Sequence, residues 1–452
     1  MKPVSAIDQG FLWLEKTNQP MHVGGMQLYT PPADADENYV NDLVEKLRAS
    51  KTLHSPFNKR LVRRMGLWFW DTEQDFDTEY HVRHLALPKP GRIRELLALV
   101  SQLHSNLMDR NRPLWEMYVI DGLEGGRLAV YVKIHHALVD GVAAMRLMQR
   151  SLSESPDDRD MTPVWSMPPS KRNKEAAHEA MDVMTELASA VSKQLSAIPR
   201  VTKEVFKSIR SSISKEADFV SAFQAPRSIL NQRVTGSRRF AAEDWDLERI
   251  KAAGKRHGAT LNDVVLAMCA SALRSYLTEL NELPDEPLIG MVPISLREDD
   301  SISGNQVGLV LANLATNEAD PIERLKKIRA SMQHMKERFS TMSQTEIMNY
   351  VATVMAVSGV KMAAGIAPEV QAFNITISNV PGPKKPLYFF GSKLEGTYPV
   401  SIVLDGQALN ITLNSYDGKL EFGLIACRRT LPSMQNLLRY LEQGLQELEQ
   451  NA

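Results

Sequence analysis

The chain has 452 residues, too many for one ordinary hydrophobic core, so two domains are expected. Apolar residues make up 43% of it, enough to fill those cores and too many for a disordered chain. A net charge of −1 removes any global electrostatic case for nucleic-acid binding.

In chain order, residues 5–16 pattern as a short helix with Ile7, Phe11, Leu12 and Leu14 on or near one face. Asp8 and Glu15 interrupt that stretch, so it is no signal-peptide core. Residues 21–29 read as a strand holding the pair Gly24-Gly25, where backbone approaches backbone or ligand. Residues 39–50 form an amphipathic helix. Between residues 60 and 76, Arg60, Arg63 and Arg64 lie beside Trp68, Phe69 and Trp70. A packed hairpin with solvated arginines is preferred there over a nucleic-acid or membrane contact. Residues 93–108 make a helix that turns Leu96, Leu97, Val100, Leu103 and Leu107 inward. A strand around residues 113–120 and a turn at 122–126 follow. Leu128, Val130, Val132 and Ile134 then alternate onto one face of a strand that runs into His135-His136. Asp140-Gly141 turns the chain into a helix marked by Val142, Met145 and Leu152, with Leu147 or Met148 between.

The composition changes over residues 153–169, which are acidic and then carry Pro163, Pro168 and Pro169. Residues 175–214 are helical in two pieces parted at Pro199. The second piece and its flanks hold Lys193, Arg200, Lys203, Lys207, Arg210 and Lys215, with Val205, Ile209 and Ile213 in line. Such a helix bridges two domains or lies on an anionic membrane. Past Ser237 come a strand (239–245) and a helix (247–254). Thr260 caps the next helix (261–280), with Asp263 in the capping-box position and Val264, Val265, Met268 and Leu273 inward. A buried strand at 288–296 ends in Arg297. Helices are expected at 321–339 and from 345 onward. Strands then alternate with turns at Pro381-Gly382, Asp405-Gly406 and Asp417-Gly418, before a closing helix at 433–450. The division expected is 1–160, a helical linker 161–236, and 237–452. Cys269 and Cys427, far apart in apolar segments, read as small buried side chains of a reducing compartment. No run of about 18 uncharged apolar residues occurs; the nearest, residues 351–367, is broken by Lys361. A soluble or peripheral protein is expected.

The paired histidines carry the chemistry. Neighbouring strand residues point to opposite faces, so one of the two is the reactive base. Continuing the pleat puts His136 on the apolar face and His135 with Lys133 and Tyr131. Neighbours on a straight strand cannot chelate one ion, and neither HExxH nor paired cysteines occur, so no metal is expected. The full string His135-His136-x-x-x-Asp140-Gly141 is similar to the active-site motif of the CoA-dependent acyltransferase superfamily, which includes chloramphenicol acetyltransferase and condensation domains. Pro113-Leu114-Trp115-Glu116, Asn262-Asp263-Val264-Val265 and Ser378-Asn379-Val380-Pro381-Gly382-Pro383 narrow the likeness. With Ala6-Ile7-Asp8 and Gln19 through Gly25, they resemble the bacterial wax ester synthase/acyl-CoA:diacylglycerol acyltransferase family over essentially the whole chain.

That resemblance implies an α/β fold of two chloramphenicol acetyltransferase-like domains, each mixed sheet plus helices, joined by the helical linker, with the site in a tunnel between them. It implies a long-chain O-acyltransferase that moves a fatty acyl group from acyl-CoA to a fatty alcohol or diacylglycerol, making wax ester or triacylglycerol. Acyl-CoA is then a substrate, and no cofactor is expected. His136 would act as general base in a ternary complex, His135 would orient the turn, and Asp140 would be structural, paired with Arg297. No GxSxG elbow or nearby cysteine suggests a covalent intermediate. Asn262, Asp263, Ser378 and Asn379 are candidate substrate-binding residues, although helix capping explains Asp263 and turn formation explains the other pair equally well. Gly359 and Ala363, among small side chains in residues 351–367, would line the alkyl chain unless they serve close helix packing. Arg227, Arg233, Arg238, Arg239, Lys384 and Lys385 are candidates for the CoA phosphates. The protein would work at the inner membrane face or on lipid inclusions in the cytoplasm. The competing readings are a superfamily member acting on a carrier-bound or small polar acceptor, and a non-catalytic lipid-binding relative.

Overall fold

The computed structural model describes residues 1–168, 225–295, 307–342, 346–347, 350 and 371–450. The expected linker helices, Arg297, Gly359, Ala363 and the rest of the segment 351–367 lie outside them. The chain begins with β1 (Lys2–Pro3), α1 (Ala6–Leu14), β2 (His22–Thr30) and α2 (Tyr39–Ala49). Next come the hairpin β3 (Lys59–Arg64) and β4 (Leu67–Thr72), then α3 (Thr78–His81), β5 (Val82–Ala86) and α4 (Ile93–Ser105). β6 (Trp115–Asp121), β7 (Leu128–His135) and α5 (Gly141–Arg150) complete this half. The second half holds β8 (Arg238–Asp246), α6 (Leu247–Arg256), α7 (Leu261–Glu279), β9 (Ile289–Ser295), β10 (Val307–Asn313) and α8 (Pro321–Thr341). It ends with β11 (Ile375–Val380), β12 (Tyr388–Phe389), β13 (Ser392–Val400), β14 (Leu409–Tyr416), β15 (Lys419–Cys427) and α9 (Asn436–Gln450).

Two six-stranded mixed sheets organise the molecule. The first has the order β12-β13-β2-β7-β6-β5, antiparallel except for the parallel pair β5/β6. The second has the order β10-β9-β11-β14-β15-β8, with β11 parallel to both neighbours. A small sheet, β1-β4-β3, stands apart from both. A division at residue 237 therefore does not separate the sheets: β12 and β13, from the C-terminal part of the chain, complete the first one. Hydrophobic periodicity reports which face a strand buries, not which strand lies beside it.

β7 is buried on both faces. Leu128, Val130, Val132 and Ile134 enter a core shared with α2, the hairpin and Trp165. Ala129 and Tyr131 face the other way, into the larger core that runs through the second half. That core surrounds α7, which Thr260 and Asp263 start with a reciprocal capping box: the Thr260 N–H donates to Asp263 Oδ2 at 2.9 Å, and the Asp263 N–H to Thr260 Oγ1 at 3.3 Å.

α4 joins the halves, and its inward face differs from the leucine face expected. Leu107 lies past the helix end and is 40% exposed, while Ser101 and His104 are buried. The reason is the neighbour. Ser101 and Ser105 accept the N–H groups of Phe240 and Arg238 at 2.8 and 3.1 Å, satisfying an outer strand of the second sheet. On the other side, β13 and β15 touch so closely that a Cβ at Gly423 would fall 1.8 Å from the carbonyl oxygen of Pro399. Gly423→Ala is expected to lower stability by at least about 1–3 kcal/mol, because two backbones must part. An unchanged urea midpoint would show that this contact does not hold the halves together.

Candidate active site

β7 delivers the histidines to a sharp turn. The His135 N–H donates to Leu114 O at 3.0 Å, which ties the strand end to Pro113-Leu114-Trp115, and the His136 N–H donates to Met21 O at 2.8 Å. The N–H groups of Leu138 and Val139 return to the carbonyl of His135. Asp140 then caps α5, its Oδ1 accepting the Ala143 N–H at 2.8 Å. The residue is exposed, and it holds the turn as an N-cap does.

The two rings have opposite fates. His135 is fully buried. Its Nδ1 accepts the Ala137 N–H at 3.1 Å, so the ring proton sits on Nε2, which faces Glu15 Oε1 at 3.3 Å. That second contact is an ion-pair distance, not a well-aligned hydrogen bond. Both nitrogens are committed to the protein. His136 is half-buried, its ring stacked on Phe11 with centroids 4.1 Å apart, and no other described residue hydrogen-bonds its ring nitrogens. Burial pushes its pKa down to about 4, against the pull of Asp140, so the imidazole is unprotonated at neutral pH and has a lone pair to accept a proton.

Glu15 is the residue that sequence reasoning missed. It lies directly after α1, and its carboxylate accepts the Met21 N–H at 3.1 Å and a fork from Arg110 at 2.9 and 3.1 Å. Burial alone would raise its pKa; His135, Met21 and Arg110 outweigh that and hold it below the usual value. One buried carboxylate thus faces the protonated Nε2 of His135, holds the Met21 backbone that receives His136, and through Arg110 ties the end of the helix that carries Phe11. The available signal was an acid at the edge of an otherwise apolar segment.

A polar floor underlies the turn. His22, opposite His135 in the β2/β7 register, donates from Nε2 to His104 O at 2.8 Å. His104 accepts the Tyr131 hydroxyl on Nδ1 at 2.7 Å and donates from Nε2 to Ser401 O at 2.9 Å. Burial lowers both pKa values, that of His104 to about 3. Lys133 spends its ammonium on Leu103 O, Asn106 O and Glu116, at 3.2, 3.0 and 3.1 Å. Tyr118 and Arg83 hold Glu116 from its other sides. Trp115 is a packing residue, buried with its indole N–H on Phe57 O.

Comparison with known proteins shows the family. The model of the wax ester synthase/diacylglycerol acyltransferase catalytic domain matches residues 4–265, and that of the family's C-terminal domain matches residues 303–449. The O-acyltransferase WSD of Acinetobacter baylyi is 50% identical over 450 residues, covering 99% of this chain and 97% of its own. The chain belongs to the wax ester synthase/diacylglycerol acyltransferase family. A solved wax ester synthase/diacylglycerol acyltransferase from Marinobacter aquaeolei VT8 superposes with a TM-score of 0.83 at 46% identity, over 100% of this chain and 99% of that one. The first condensation domain of the CDA synthetase, at 14% identity and a TM-score of 0.55, covers 99% of this chain and 96% of that one; it shares the fold. The two-domain acetyltransferase-like architecture is therefore established.

The family's other motif residues hold places in the elements of the second half. Asp263 is buried and occupied by the capping box, in a helix packed on α6, α8 and α9; Asn262 beside it is half-buried. Ser378 and Asn379 are strand residues of β11, in register with Thr412 and Leu413 of β14, so turn formation is not their role. The turn begins after them, where the Gly382 N–H meets Ser415 Oγ at 3.0 Å. Arg238 is withdrawn as a phosphate ligand: it is buried and donates to the carbonyls of Asn18, Val403 and Thr235. Lys385 is exposed and pairs with Glu154 at 2.7 Å.

Proposed function

We propose that this chain moves a fatty acyl group from acyl-CoA to the hydroxyl of a long-chain alcohol or of diacylglycerol, with His136 as general base. One observation carries the assignment: of the two histidines, His136 alone keeps its ring nitrogens clear of described protein partners. The family membership and the activities named for its members support the substrate class.

An alcohol is a weak nucleophile and a thioester is already activated, so one placed base is enough. The neutral His136 imidazole takes the alcohol proton as oxygen attacks the thioester carbonyl. The tetrahedral intermediate then expels the CoA sulfur, which leaves as a thiol with that proton. His135, locked by Glu15 and the Ala137 N–H, keeps the turn in place. Phe11 sets the plane of the base. Asn262, Ser378 and Asn379 are assigned to substrate binding, with Gly359 and Ala363 beside the alkyl chain. Asp140 is assigned to fasten Arg297 through the oxygen not used in capping; a separation beyond about 4 Å would sink that pairing. The membrane is the natural source of such substrates. No helix among the described residues is long and apolar enough to cross it, so peripheral attachment is the form of contact proposed.

The direct test offers palmitoyl-CoA with hexadecanol and with diacylglycerol in parallel; release of free CoA without either ester product would reject the reading. A pH profile tests the base. Transfer requires the unprotonated ring, and burial holds its pKa at about 4, so kcat/KM should stay level from neutrality down to about pH 5 and fall below. An inflection near the ordinary imidazole value of about 6.5 would instead assign the proton transfer to an unburied histidine.

A further inference from the structure

The hairpin β3/β4 ends in a turn with an unusual surface. Arg63, Arg64, Met65, Gly66 and Leu67 are all exposed, Met65 completely and Leu67 at 47%. No described carboxylate pairs with Arg63 or Arg64, whereas Arg60 lower in the hairpin meets Asp71 and Glu73. Trp13 of α1 is 61% exposed as well. Arg110 links the two, since its guanidinium lies 5.7 Å from the Trp68 ring and donates to Leu12 O at 2.7 Å. Two cations without a described carboxylate partner, Arg63 with its guanidinium 5.7 Å from the Trp68 ring, thus stand beside exposed apolar side chains at the turn.

We propose that this hairpin tip, together with Trp13, is the surface by which the chain docks on an anionic phospholipid layer. The arginines match lipid phosphates, and Met65 and Leu67 match the acyl region just beneath. A five-residue tip is far smaller than the roughly 800 Å² per partner that a stable protein contact buries. Projecting methionine and leucine side chains have no match on a nucleic-acid backbone. The placement also suits the chemistry. The Val4 N–H donates to Trp68 O at 3.1 Å, and from Ser5 the chain enters α1, which holds Phe11 against His136. The docking surface and the base therefore share one short stretch of chain. This assignment rests on the lipid-acceptor reading above and gives a membrane role to a hairpin whose sequence pattern favoured a packed hairpin with solvated arginines; the basic segment 193–215, the other candidate contact, lies outside the described residues.

Flotation of the full chain with phosphatidylglycerol–phosphatidylcholine vesicles and with pure phosphatidylcholine vesicles tests it. Arg63→Gln with Arg64→Gln should weaken binding to the anionic vesicles about 25-fold, roughly fivefold per charge, and abolish most of its salt dependence. Met65→Asp with Leu67→Asp should weaken it at least about tenfold and remove the part that survives high salt. All four side chains are exposed, so both variants should melt as the parent does and keep its rate with a short, water-soluble alcohol. Arg63→Lys with Arg64→Lys should still bind. Parent-like binding by both of the first two variants overturns the hairpin assignment and leaves peripheral attachment standing. A parent protein that floats with neither vesicle at low salt overturns both. Displacement from anionic vesicles by duplex DNA at equal charge would make the tip a nucleic-acid contact and overturn it as well.

Discussion

Replacing His136 with alanine should lower kcat by about 10² to 10⁴-fold while the protein keeps its fold, the range expected when a general base is lost and substrate positioning remains. The ring is half-buried and its main contact is the stack on Phe11, so its removal opens a small space without stranding a polar group. His135→Ala should behave in the opposite way. It leaves the Ala137 N–H and the Glu15 carboxylate short of a partner in a buried site, which costs about 1–3 kcal/mol. Transfer should remain measurable in the folded fraction. Melting curves and initial rates on both variants separate the roles. Full activity in His136→Ala would end the assignment of the base.

The second large effect concerns stability. Lys133→Met should destabilise the protein by about 3–5 kcal/mol, because it leaves the Glu116 charge and two backbone carbonyls under-satisfied in a closed interior. The pair is among the most buried in the chain, with side-chain exposures of 1% and 5%. Adding Glu116→Gln should recover part of the loss, since the charge left behind is then removed, although Arg83 loses its own partner. Urea unfolding of the two single variants and the double gives the coupling directly. A coupling indistinguishable from zero would mean that Lys133 acts through Leu103 O and Asn106 O alone.

Much of this molecule was legible in its residues. Periodicity located α4, α7 and β7, and Thr260 with Asp263 announced the start of α7 through the reciprocal bonds now seen. Strand parity already separated His135 from His136. Parity could not say what each ring would meet. Glu15 lies 120 positions from His135 in the chain, and nothing local in either segment encodes their contact. Leu107 was misplaced for a related reason: the inward face of α4 meets strand N–H groups, which call for Ser101 and Ser105 instead of another leucine. The passage of β13 into the first sheet left no trace either, since its alternation would suit either sheet.

That passage bears on how the protein comes to exist. Until residue 400 has left the ribosome, β2 lacks the neighbour that covers its outer side, and its unpaired N–H and C=O groups stand open along Gly24 to Thr30. A nascent chain carrying the residues through Arg150 already holds the catalytic turn, yet presents a ready template for pairing with another chain. Closing a loop of that length is entropically slow, so the late arrival of β13 should limit the rate of maturation. Truncation before residue 388 should therefore yield aggregate instead of a free catalytic half. The same delay keeps a lipid-modifying site from operating until almost the entire polypeptide has been made.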